Sequence, residues 1–131
     1  MADLLCVDDW NSEINGNDNG TFTLELTPNG QITGEHIDEN LERCLVWGTC
    51  QHSVLGGHKI DLFEPRIDKG TNRPYAFRYF AKITPKDDGK HKTKDGKRRR
   101  IDPPSDELAR ASVSVKELAD GDDDWVGTHG T

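Results

Sequence analysis

Hydrophobic and polar residues alternate with a period of two along much of the chain, the pattern of strands that bury one face. Residues 21–26 (TFTLEL) put Phe22, Leu24 and Leu26 on one side and Thr21, Thr23 and Glu25 on the other. Pro28-Asn29-Gly30 follows as a tight turn, since Asn and Gly tolerate positive φ. Residues 31–37 (QITGEHI) return as the second strand of a hairpin. The next pair is 43–51 (RCLVWGTCQ) and 58–63 (HKIDLF), joined by a loop containing Gly56-Gly57. Residues 75–84 (YAFRYFAKIT) are the most aromatic strand; Phe77, Tyr79, Ala81 and Ile83 share a face, and Arg78 and Lys82 point the other way. Residues 125–129 (WVGTH) make a short last strand after the acidic turn 120–124.

Two stretches break this rhythm. Residues 85–105 are polar and basic, carry Gly89 and Gly96 and end in Pro103-Pro104, which predicts a long mobile loop. Residues 106–119 (DELARASVSVKELA) fit two patterns. Leu108, Ala111, Val115 and Leu118 fall at helical spacing behind a capping Ser105. Ala109, Ala111, Val113 and Val115 also alternate with Arg110, Ser112, Ser114 and Lys116, and the β-branched residues at period two favour a strand. The whole predicts an all-β fold, an antiparallel meander closing into a small β-barrel, because closure removes the exposed edges. The 131 residues suffice for a single domain, 1–131.

Composition narrows the classes. Apolar residues make up 32% and mean hydropathy is -0.82, so the core must be economical. No apolar run approaches the roughly 18 residues of a membrane-spanning helix, and no membrane partner is expected. Net charge is -7, but residues 1–42 hold ten acids and no Lys or Arg, whereas residues 86–100 hold eight Lys/Arg against three Asp. Nucleic acid is repelled by such a chain except through that one segment, and Lys97-Arg98-Arg99-Arg100 has no interleaved aromatic on which a base could stack. An acidic surface suits a basic protein partner instead.

Cys6, Cys44 and Cys50 make an odd count. If 43–51 is one strand, Cys44 and Cys50 lie about 20 Å apart at about 3.3 Å per residue, too far for a disulfide. Only a bridge from Cys6 to one of the two is left. Three reduced thiols in a cytoplasmic protein are the simpler expectation. The opening MADLLCVDDW has no basic segment and no long apolar run, unlike a signal peptide.

Several words of this sequence stand together in one known family. Trp10-Asn11-Ser12, Gly20-Thr21-Phe22 and Asn29-Gly30-Gln31-Ile32-Thr33-Gly34 resemble the opening hairpin of the avidin-like biotin-binding barrels, with a lipocalin-like flavour. Leu45-Val46-Trp47-Gly48-Thr49 resembles the strand that follows there. Asp123-Asp124-Trp125 is similar to the segment by which that family offers a ligand-covering Trp to a neighbouring subunit. The resemblance implies a calycin-type barrel that binds a small molecule, and it makes a second copy of the chain a candidate partner. The family's polar ligand positions before the first strand fall near Ser12 and Gly16 and are only partly matched. His36 stands where the family has a Tyr that donates to the ureido oxygen of biotin, and the late acidic or amide position would fall after Thr131, so biotin itself is not implied.

The residues suggest the same site independently. Trp10, Trp47 and Trp125 lie in separate strands or strand starts and could line a pocket for an apolar or aromatic ligand, with core packing as the alternative. By alternation His36 and His58 point inward, and Tyr79 shares the aromatic face. The expected ligand-binding set is therefore Trp10, Ser12, His36, Trp47, His58, Tyr79 and Trp125. The aromatics would supply buried area, and the histidines and Tyr79 would orient polar groups. No metal or other cofactor is expected, since the histidines lack a ligand spacing. Asn15, Asn17, Asn19 and Gly20 imitate half a calcium loop but have Leu26 where the bidentate acid belongs. G-x-S-x-G, H-E-x-x-H and the P-loop are absent, and a Cys44 or Cys50 thiolate beside His52 would be disfavoured by acidic surroundings. The expected function is non-catalytic small-molecule binding. The alternative is an acidic interaction module of the inhibitor or immunity type that masks a basic partner.

Overall fold

The computed structural model describes residues 8–29, 31–52, 58–85, 91–101 and 123–129. They form eight strands: β1 (Asp8–Ile14), β2 (Asn17–Leu26), β3 (Gln31–Ile37), β4 (Arg43–His52), β5 (His58–Ile67), β6 (Pro74–Pro85), β7 (His91–Ile101) and β8 (Asp123–His129). Each pairs antiparallel with the next, and β8 closes onto β1 through Trp10↔His129 to Ile14↔Trp125. The result is the expected all-β meander closed into an eight-stranded barrel. No helix among the described residues is long and apolar enough to cross a membrane.

Alternation places the core. Trp10 and Ile14 of β1, Phe22 and Leu24 of β2, Ile32 of β3, Val46 of β4, Ile60 and Leu62 of β5, Tyr79, Ala81 and Ile83 of β6 and Trp125 of β8 are buried together inside. The barrel closes where backbones approach closely. A Cβ on Gly34 would lie 1.9 Å from the Thr23 carbonyl oxygen, and one on Gly48 would lie 1.8 Å from that of Asp61, so a side chain at either position would push neighbouring strands apart. Asn15 and Gly16 join β1 to β2 with φ of 52° and 82°, the mirror-image hairpin turn that Asn-Gly favours.

Three expectations are corrected. The basic segment is not all loop: residues 91–101 form β7, although nothing apolar fills most of its inward positions. Cross-strand charge supplies what apolar alternation lacks, with Lys97 on Asp124 and Arg98 on Asp123 of β8, each at 2.6 Å. Alternation marks no strand before residue 21, yet Trp10-Asn11-Ser12 belongs to one of its own, β1; residues 15–20 are a turn and the start of β2, in keeping with the lack of a bidentate acid for calcium. Finally, Cys50 is disulfide-bonded and Cys44 is free, where three reduced thiols were expected. Residues 106–119, with their two patterns, lie outside the described residues.

Candidate functional site

The lumen has an apolar half and a polar half. Toward the end that carries the β2–β3 connection it is lined by Leu24, Ile32, Ile60 and Ile83, all buried. Toward the end that carries the β1–β2, β3–β4 and β5–β6 turns, the inward positions become Ser12, Asn19, His36, Asp38, Glu64 and Arg66. Buried charge is costly unless paired and hydrogen-bonded, so its partners decide what this half can do.

Glu64 sits at the centre. Its Oε1 lies 2.6 Å from His36 Nδ1 and accepts a hydrogen bond from the Tyr79 hydroxyl at 3.1 Å. Its Oε2 accepts from Arg66 Nε at 2.5 Å. Burial penalises the Glu64 charge, but the His36 hydrogen bond and the positive charges of His36 and Arg66 outweigh it and hold the carboxyl below its ordinary range. His36 Nε2 donates to the Asn19 carbonyl at 2.6 Å. Both ring nitrogens thus face oxygen partners. Tyr79 remains a phenol, because burial and then the Glu64 charge push its ionisation well up.

The sequence builds this cluster with few parts. Asp38 closes the β3–β4 turn by accepting from the Asn40 and Glu42 amides through Oδ1, leaving Oδ2 to accept from Arg66 Nη1 at 3.0 Å. Desolvation opposes the Asp38 charge, yet those backbone donors and Arg66 bring its carboxyl below the ordinary value. A second knot lies beneath: Ser12 Oγ accepts from Asn19 Nδ2 at 3.1 Å and from Trp125 Nε1 at 2.9 Å. Between the knots the rings pack. Phe22 stacks on His36 at 4.2 Å and meets Tyr79 and Trp125 edge-on at 5.0 and 5.9 Å.

At the rim of the polar end, guanidinium groups lie over aromatic faces. Arg98 covers Phe77 at 4.1 Å, with Arg66 at 5.6 Å from the same ring, and Arg100 covers Tyr75 at 3.9 Å. Tyr75 and Phe77 themselves meet edge-on at 5.5 Å, and both are half-buried. Arg98 also binds Asp123, whose carboxyl this pairing holds below its ordinary value. Cys44 lies close to this charge cluster, and burial, then Glu64, pushes its thiol up to about 11. At neutral pH it is therefore the protonated thiol, a poor nucleophile.

Of the seven residues expected to line a site, Trp10, Ser12, His36, Tyr79 and Trp125 are buried in the lumen, and four of these belong to the two polar knots. His58 is buried inside as well, but with Ile60 and Ile83 at the apolar end. Trp47 points outward. Val46 takes the inward position, and Trp47 packs on Phe63 across the outer face at 5.2 Å. Trp47→Ala should therefore cost less than about 1 kcal/mol in urea denaturation, far below the loss for a buried tryptophan. Sequence reasoning missed Asn19, Asp38, Glu64, Arg66 and Phe77 as members of the site. Glu64 and Arg66 continue the inward alternation of Ile60 and Leu62, and that was the available signal.

The depressed carboxyls predict an acid limb. Asp38, Glu64 and Asp123 fall below ordinary values of 3.8, 4.5 and 3.8 on folding. Their contribution to stability is thus present above those values and is lost as pH falls through the lower folded ones. The melting temperature should hold between pH 5 and 7 and drop steeply below about pH 4; a flat profile down to pH 2 would contradict the network.

Set against known proteins, the chain matches no family model, no curated protein and no solved structure. Its closed antiparallel eight-stranded barrel is consistent with calycin-like barrels in general and not specifically with the avidin-like ones; barrels of this size can hold one small ligand.

Proposed function

We propose that this barrel is a non-catalytic binder of a small aromatic molecule with a polar group, received at its polar end. The observation that carries the reading is the buried charge: Glu64, Arg66, Asp38 and His36 stand where apolar residues would make the barrel at least as stable. Charged groups with perturbed ionisation, gathered inside a fold at one end, are the arrangement found at functional sites. The half-buried faces of Tyr75 and Phe77, each under a guanidinium, suit a planar ring, and the paired Arg and acid side chains around them suit a polar substituent. The rings of Phe22, His36, Tyr79 and Trp125 fill the middle of the lumen and form the floor of that site rather than its walls. Trp47 has no part in it.

The test is thermal denaturation with biotin and then with a series of aromatic carboxylates and amides, since a ligand of the native state raises the melting temperature by mass action. A shift in the wild type that Phe77→Ala abolishes is expected. No shift with any of them would remove the reading.

A second reading rests on a separate observation. The outward positions of β1 to β3 include Asp9, Glu13, Glu25 and Glu35 and no Lys or Arg. Such a face suits a basic protein, as an inhibitor of the immunity type would need. Binding of a basic protein that weakens with salt, and is lost in Glu13→Lys/Glu25→Lys, is its expected signature.

A further inference from the structure

The outer face of β4 and β5 is unlike the rest of the barrel. Leu45 and Ile67 are 64% and 63% exposed, and Trp47 is 42% exposed. Trp47 stands directly opposite Phe63 in register, so their rings form one continuous apolar strip with Leu45. The turn leading into β4 adds Leu41, which is 83% exposed at φ 62°. A leucine in the left-handed region with its side chain in water is unfavourable on both counts, and nothing inside the barrel is gained by it. Patches of this kind mark contact surfaces.

We infer that this face is a dimer interface, and that its occupant is the same face of a second copy of the chain. Charge selects the occupant. A two-fold contact sets each surface against itself, so a face of one sign repels its own copy. That excludes the β1–β3 face, with Asp9, Glu13 and Glu25, and disfavours the β6–β7 face, where exposed Lys82 and Lys92 outnumber the single acid Asp95, 3.9 Å from Lys82. The β4–β5 face lies between them. Its centre is apolar, Asp61 is neutralised by a two-pronged contact with Arg78 at 3.0 and 2.6 Å, and its flank carries both signs in Arg43 and Glu35, 3.4 Å apart. Such a flank is self-complementary: Arg43 of one copy can meet Glu35 of the other. A basic partner would prefer the acidic face, and an acidic one the basic face. The inference is independent of what the lumen binds.

Sedimentation equilibrium of the full chain over a range of concentrations tests this. The wild type should approach twice the chain mass of 14.7 kDa as concentration rises. Leu45→Asp and Trp47→Asp should each return the mass to that of one chain with the β circular dichroism kept, and Glu25→Lys, on the acidic face, should leave the dimer intact. Tryptophan emission of the wild type should also move to the red on dilution, a change carried by Trp47 because Trp10 and Trp125 stay buried in the lumen. A wild type of single-chain mass at every concentration overturns the inference. So does a dimer that survives both substitutions, or one broken by Glu25→Lys alone.

Discussion

Replacing Glu64 by Ala is expected to lower the free energy of unfolding by about 3–5 kcal/mol, the cost of removing one member of a buried ion cluster. The size follows from what stays behind. Arg66 keeps Asp38, but its closest partner is gone, and His36 and Tyr79 each lose their shared acceptor inside the barrel. Glu64→Gln separates charge from shape. The amide oxygen can still accept from Tyr79 or Arg66, but it carries no charge opposite His36, so the loss should be smaller than for Ala. Urea denaturation of the two variants with the wild type measures both, and a loss below about 1 kcal/mol for Glu64→Ala would mean that water reaches the cluster. The same variant should also flatten the acid limb of stability, since it removes one of the depressed carboxyls.

Phe22→Ala should cost about 3–5 kcal/mol as well, for a different reason. Phe22 is fully buried and its ring touches His36, Tyr79 and Trp125, so its removal leaves a void among rigid rings that cannot collapse onto it. Thermal melts and urea midpoints should both fall, with the slope of the urea transition retained. A variant as stable as the wild type would show that the rings repack. Together with the small loss expected for Trp47→Ala, this pair separates the inside of the barrel from the outside by energy alone.

Legibility in the sequence followed the nature of each strand's inner face. Gln31–Ile37 is read to the residue, because Ile32 and His36 face in and polar residues flank them. His91–Ile101 is unreadable by the same rule, because Arg98 and Arg100 face inward over Phe77 and Tyr75, and a cation under an aromatic ring leaves no hydrophobic period. The site divides in the same way. Trp10, Ser12, His36, Tyr79 and Trp125 are visible as aromatic or polar residues on inward faces. Asp38 is not, since it lies in a turn and earns its place only through Arg66, 28 positions later. Trp47 misleads because Val46 and Trp47 are both apolar, and only register shows which of the two faces in.

The sequence by itself determined the class of fold. Period-two alternation, turn residues between the strands and too few apolar residues for anything but one compact core leave little besides an antiparallel barrel. It also determined the uneven charge, with acids and no bases over 1–42, bases gathered in 86–100 and acids again after them. Only the tertiary structure decided what that charge does. Closing β8 onto β1 and setting β7 beside both β6 and β8 brings Arg98 to Asp123 and Phe77, and the registers of β3 on β4 and β4 on β5 bring His36 and Asp38 to Glu64 and Arg66. The ion pairs among these, His36–Glu64, Asp38–Arg66 and Arg98–Asp123, lie 28, 28 and 25 residues apart in the chain. Pair energies depend on distance and burial rather than on order in the sequence, so the polar half of the lumen exists only once the barrel is closed.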